Sequence, residues 1–124
     1  MRVPILKQGD VLIASIQSDL SDHDLVQLRD DIAEKVGRFK SRGVVIDVSV
    51  LDIMDSFATR TLRAIADTTR LRGAETVIVG IQPDVAIAMV QLGLTLEGVS
   101  AALDLEEGLE LVKASINGSR RRGS

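Results

Sequence analysis

Hydrophobic and polar positions along this chain repeat with two different periods, and the switches between them mark out its elements. V-P-I-L-K (3–7) and V-L-I-A-S-I (11–16) are short β-branched runs on either side of Q-G-D. That pattern predicts two neighbouring antiparallel strands joined by a tight turn. Pro4 has no amide hydrogen to give to a ladder, so the first strand is expected at a sheet edge. Over residues 22–40 the period lengthens: Leu25, Leu28, Ile32, Val36 and Phe39 recur every three or four positions, the apolar stripe of a helix. Ser21 or Asp22 would cap its start and Gly43 would follow its end.

Val44 to Val48 is then a continuous apolar run interrupted by Asp47, as expected of a parallel strand buried on both faces. A second helical stripe, Ala58, Leu62, Ile65, Ala66 and Thr69, spans 57–72 and stops near Gly73. Thr76 to Val79 is another buried strand, broken by Gly80. Pro83 opens a further helix at a position where its missing amide hydrogen costs nothing. That helix carries Val85, Ala86, Met89 and Val90 and ends at Leu92-Gly93; V-S-A-A-L (99–103) is a candidate last strand. A final helix places Leu105, Leu109, Val112 and Ile116 on one face.

The order ββαβαβα(β)α predicts a single α/β domain over residues 1–116. Its expected architecture is a mixed, mostly parallel sheet of four to five strands with about four helices and right-handed crossovers. Residues 117–124, ending G-S-R-R-R-G-S, are small and basic and are expected to form a disordered tail.

Composition removes more chemistry than it adds. At 124 residues the chain has room for one core, and with 2% aromatic residues and no Trp or Tyr that core must be aliphatic. The same scarcity, with a net charge of -3, argues against nucleic-acid binding by base stacking or by a global basic field. There is no Cys and a single His, His23, so thiolate nucleophiles, Cys metal sites and Ser-His triads cannot be assembled within one chain. No signal peptide and no apolar run near the roughly 18 residues of a membrane span is visible, so a cytoplasmic protein is expected.

Candidate chemistry gathers where the central strand ends, at Asp47, Asp52, Asp55 and Ser56. In open α/β sheets this carboxyl edge is where ligands and modifications are found. Paired carboxylates suit acid-base work or a divalent cation, but the next loop supplies only G-I-Q-P-D, with no His, Cys or phosphate loop. A receiver-like aspartyl phosphorylation site would need acids after the first parallel strand and a late Lys; here only Asp19 is present. Either Ser56 or Asp55 is suited to cap the helix beginning at Phe57, a bond worth about 0.5–2 kcal/mol. Phosphate on Ser56 would be tolerated there, because amides and the helix dipole favour an anion. The added charge, beside Asp52 and Asp55, would change the local potential strongly. Arg60, one turn on, is placed to pair with it in part.

Together these segments are familiar. G-V-V-I-D-V-S-V-L-D-I-M-D-S-F, G-A-E-T-V-I-V-G-I-Q-P and L-G-L resemble the STAS domain family over roughly residues 3–115. P-I-L-K, D-S-F, G-I-Q-P-D-V-A and A-L-D-L-E-E-G-L-E are most similar to its small stressosome members, of anti-sigma-factor-antagonist type. The resemblance implies a scaffold and switch that is not an enzyme and uses no cofactor. It implies that Ser56 is phosphorylated by a partner serine kinase of the anti-sigma type and restored by a phosphatase. Unphosphorylated protein would self-associate and co-assemble with longer relatives bearing sensory N-terminal domains, in a cage that holds the kinase until phosphorylation releases it. The lack of a sensory segment in this chain fits the small subunit. The partner surface is then expected at Asp55, Ser56, Phe57, Thr59 and Arg60, joined by Gly80, Ile81, Gln82 and Pro83 from the next loop. Thr59 is expected on the helix surface, as a contact and not a second modification site. The rival implication is a simple anti-sigma-factor antagonist acting outside any large assembly.

Overall fold

A computed structural model describes residues 2–96 and 98–122, the last four by their backbone alone. β1 (Ile5–Gln8) and β2 (Val11–Ser15) form an antiparallel hairpin, and β2 continues through α1 (Asp22–Phe39) into β3 (Gly43–Asp47). α2 (Ser56–Leu71), β4 (Glu75–Val79), α3 (Pro83–Gln91), β5 (Ser100–Ala102) and α4 (Leu105–Arg122) complete the chain. The single five-stranded sheet has the order β1-β2-β3-β4-β5, with β2 to β5 parallel. The mixed sheet and four helices are those the alternating periods predict, and β1, with Pro4 just ahead of it, is an edge strand.

Strands added in sequence through crossovers of one hand must place all their helices on one side. Accordingly Leu12, Ala14, Val44, Ile46 and Ile78 pack with Leu28 and Ile32 of α1, Leu62 and Ile65 of α2, and Val85 and Met89 of α3. The alternate residues, Val11, Ile13, Val45, Val77 and Val79, face α4 through Val112 and Ile116. Two glycines bring α4 down onto the sheet: a Cβ on Gly108 would collide with Val79, and one on Gly43 with Val112. Buried on both faces, each such aliphatic side chain contributes on the order of 1.5–3 kcal/mol. Within this apolar interior the Thr69 and Thr76 hydroxyls, 2.8 Å apart, satisfy each other and tie α2 to β4.

Several boundaries depart from the sequence pattern for physical reasons. α1 is capped by Ser21 in a reciprocal box with Asp24, but it is closed by Lys40 in the left-handed region (φ 53°), not by Gly43, which is already in β3. Phe39 is 37% exposed, its ring flanked by Lys7, Lys35 and Arg38 cations at 5.2–6.0 Å. Val90 is 78% exposed, since α3 spends its narrow buried face on Val85 and Met89. α4 keeps Val112 and Ile116 buried, leaves Leu105 partly exposed, and carries its helical backbone through 117–122, where composition predicts a disordered tail. Each added helical residue closes a hydrogen bond, and Gly118 costs only about 1 kcal/mol. The last two residues of that expected tail lie outside the described residues.

Candidate functional site at the carboxyl edge

The parallel register sets the site. Ser15 pairs with Asp47, Asp47 with Val79, and Val79 with Ala102, so the four strands end flush and their following loops share one rim. After β3 the chain turns at once. The Asp47 carboxylate accepts the Ser49 amide at 2.9 Å, Val48 donates to the Val79 carbonyl at 3.0 Å, and Leu51 donates to Val48 at 2.9 Å. Leu51 and Met54 are buried and fasten the loop to the helical side of the core, which leaves Asp52 exposed and Ile53 76% exposed between them.

At the start of α2 the choice left open between two caps is resolved. Asp55 is the N-cap, in extended backbone (φ -76°, ψ -179°), and its Oδ1 accepts the Ala58 amide at 2.8 Å while its carbonyl accepts Thr59 at 3.0 Å. Ser56 is therefore the first residue of the helix, one earlier than the periodicity predicts. It is exposed, and among the described residues its hydroxyl has no hydrogen-bond partner. An aspartate does the capping and the adjacent serine is left available at the positive end of a helix dipole.

The second loop is locked to the first. Gln82 Nε2 donates to the Ser49 carbonyl at 2.8 Å and lies 3.4 Å from Asp52 Oδ1. Gly80 has φ +79°, and a Cβ there would sit 2.8 Å from the Ser49 Cβ, so only glycine lets the two loops approach this closely. The Gly80 amide donates to Ala102 at 3.1 Å, half-buried Ile81 packs on the core, and exposed Pro83 opens α3. Thus Asp55, Ser56, Gly80, Ile81, Gln82 and Pro83 meet on one rim.

The helix residues of the expected surface divide. Arg60 is exposed and, among the described residues, pairs with no carboxylate. Phe57 is half-buried, and its carbonyl accepts the Thr61 hydroxyl at 2.8 Å. Thr59 is a correction: it is 1% exposed and, among the described residues, its buried hydroxyl has no partner, so it faces the interior and not the helix surface.

Sequence reasoning also missed part of the rim. A depression of about 250 Å³ beside Ser56 has an apolar floor of Leu20, Leu25 and Leu51, with Asp19, Asp22 and Asp55 at its margin. Val50, 43% exposed, and Ile53 add apolar surface. These residues come from the loops after β2 and β3 and from the start of α1, and no local pattern announces that they converge. Among the described residues no group of three or more His, Cys, Asp or Glu side chains is arranged to hold a metal ion. Nor is any helix there long and apolar enough to cross a membrane.

Comparison with known proteins finds the same fold. The sequence profile of the STAS domain matches residues 2–107. A serine-to-glutamate form of RsbS from Moorella thermoacetica is 35% identical with a TM-score of 0.80, covering 93% of this chain and 97% of that one. A chain in the molecular architecture of the stressosome, a signal integration and transduction hub, is 36% identical (TM-score 0.74; 91% and 98% covered). The RsbT co-antagonist protein RsbRD of Bacillus subtilis is 26% identical over 88% of this chain, which spans 40% of the length of that relative.

Proposed function

This chain belongs to the STAS domain family, and on that premise we propose that it is a non-enzymatic phospho-switch and scaffold of a stressosome-type complex. In this reading a serine kinase of the anti-sigma type is held by the unphosphorylated assembly. It transfers phosphate from ATP to Ser56 and is thereby released to act downstream. A phosphatase acting on phospho-Ser56 resets the switch. Longer STAS relatives with sensory N-terminal domains, together with further copies of this chain, complete the assembly. The likeness to RsbS and to a stressosome chain, each above one-third identity over nine-tenths of the sequence, supports the choice of assembly.

One observation carries the role of Ser56: it stands exposed at the first position of α2 with an unengaged hydroxyl, while Asp55 supplies the cap. Phosphorylation therefore removes no bond that the fold uses. It adds about -1.5 to -2 charges at a helix start, a place that tolerates them. Asp52 and Asp55 stand beside it, and Val50 and Ile53 present apolar surface on the same rim. A partner docked on that rim would have to bury the new dianion among carboxylates. Such desolvation without compensation disfavours the complex.

The test is mass spectrometry after incubation with the cognate kinase and ATP, with Ser56 expected as the modified residue. Modification elsewhere with Ser56 untouched overturns the assignment. Ser56→Asp should weaken kinase retention, and Ser56→Ala should preserve it and resist release. Equal retention by both variants excludes the charge mechanism. Size-exclusion chromatography with the longer relatives should give a megadalton particle. A persistent small dimer that still binds the kinase favours the simpler antagonist acting alone.

A further inference from the structure

At the opposite edge of the sheet the end of α1, the entry to β3 and the end of α2 enclose a cleft of about 420 Å³. Among the described residues Lys40, Arg42 and Arg72 line it, and no carboxylate does. Among the described residues none of these three cations forms an ion pair, whereas Arg2, Arg29, Arg38 and Arg70 each do. Lys40 and Arg72 close α1 and α2, where any cation suits the helix dipole. Three further features exceed that ordinary role.

Arg42 terminates no helix and still lines the same space. Lys40 holds the left-handed backbone (φ 53°, ψ 42°) that glycine adopts freely, and it is the one described non-glycine residue with positive φ. Gly37 supplies room: a Cβ there would stand 2.5 Å from Arg72 Nη1, so the guanidinium lies over bare helix backbone. In the wall of the cleft Ser41 is 2% exposed, and among the described residues its hydroxyl has no hydrogen-bond partner.

We propose that this cleft binds a small oxyanion of the phosphate or diphosphate type. Two guanidinium forks and an ammonium match several equivalent oxygens carrying two or more charges. An adjacent buried hydroxyl adds a donor that a small side-chain rotation can direct to the ligand. α2 separates the cleft from Ser56 by about 24 Å along its axis at 1.5 Å per residue. That is about three times the roughly 8 Å screening length at physiological salt, so binding here does not depend on the state of Ser56.

The experiment is an NMR titration of the full ¹⁵N-labelled chain with inorganic pyrophosphate at fixed ionic strength, with chloride as the control anion. Saturable shifts are expected in the amides of residues 37–43 and 72–74. Arg42→Gln combined with Arg72→Gln should weaken binding about tenfold or more, as expected for loss of charge-assisted hydrogen bonds. Arg29→Gln combined with Lys113→Gln, which removes the same charge elsewhere, should leave binding unchanged. If the first pair unfolds the protein, Lys40→Gly, which relaxes the backbone while removing one cation, should still weaken binding. Shifts that never saturate, or equal losses in both double variants, overturn the proposal. A response to polyglutamate without one to pyrophosphate also overturns it and assigns the cleft to an acidic protein partner.

Discussion

At its carboxyl edge the sheet ends in Asp47, and the loops beyond it gather Asp19, Asp22, Asp52 and Asp55 near exposed Ser56. At its amino edge Lys40, Arg42 and Arg72 converge on a cleft that no carboxylate lines among the described residues. The helix α2 joins the two, with Asp55 as its N-cap and Arg72 as its C-cap. Part of this polarity is structural, because acids at helix starts and cations at helix ends offset the dipole. What exceeds the structural need differs between the ends: a hydroxyl the cap does not use at one, and at the other an arginine off any helix that forms no ion pair among the described residues. A net charge of -3 conceals both.

The comparison can be broken most forcefully between the two ends. Leu62, 1% exposed in the middle of α2, supports both. Leu62→Ala should cost about 2–5 kcal/mol in urea unfolding, and the NMR signals of both edges should be lost in one transition. Separate transitions would show that the edges are independent units.

Gly80→Ala strikes the carboxyl edge alone. Positive φ and the approach to Ser49 should together cost roughly 1–3 kcal/mol, with amide shifts in the Ser49–Asp52 loop and none around Arg72. Asp55→Ala should cost about 0.5–2 kcal/mol by removing the cap, while Ser56→Ala stays within about 0.5 kcal/mol. Equal losses in the two variants, read by denaturant midpoints, would mean that Ser56 shares the capping after all. At the amino edge Lys40→Gly should raise stability by up to about 1 kcal/mol through relief of the left-handed backbone. A loss of stability instead would show that the lysine side chain holds the helix end.

The smallest effect belongs to neither end. Arg2 donates to Asp31 through two nitrogens, at 3.1 and 3.2 Å, on an exposed surface. Burial pushes the Asp31 carboxyl up, but the hydrogen bonds from Arg2 and Gln27 outweigh it and hold the group below its ordinary value. A carboxyl lowered in the folded state adds stability that is present above its unfolded pKa and lost as pH falls through its folded pKa. Asp31→Asn should therefore flatten the acid limb of the stability profile below about pH 4. At neutral pH it should change stability by less than about 1 kcal/mol. An unchanged acid limb would remove this pair from the acid response.

How much of this was legible differs by residue. Val44–Val48 and the α1 and α2 stripes declared their elements because burial on one or two faces imposes a period. Phe39, Val90 and Thr59 were misplaced because periodicity assigns a face but not how far the neighbouring element extends over it. Phe39 is 37% and Val90 78% exposed despite their places on the helical stripes, whereas Thr59 is 1% exposed. Asp55 and Ser56 are equally good caps by type, so only backbone geometry could say which one turns inward.

By itself the sequence determined the alternation of strands and helices, the aliphatic core, the exclusion of thiol and His-triad chemistry, and the Asp-Ser turn after the central strand. Each of these is a local or compositional property, readable without knowing which residues meet. The tertiary structure alone decided that Gln82 locks to Ser49, that Asp55 and not Ser56 caps α2, and that Lys40, Arg42 and Arg72 share a cleft. Those outcomes depend on the flush parallel register and on α1 and α2 packing side by side. Both bring distant residues together through loop closures that no local pattern encodes.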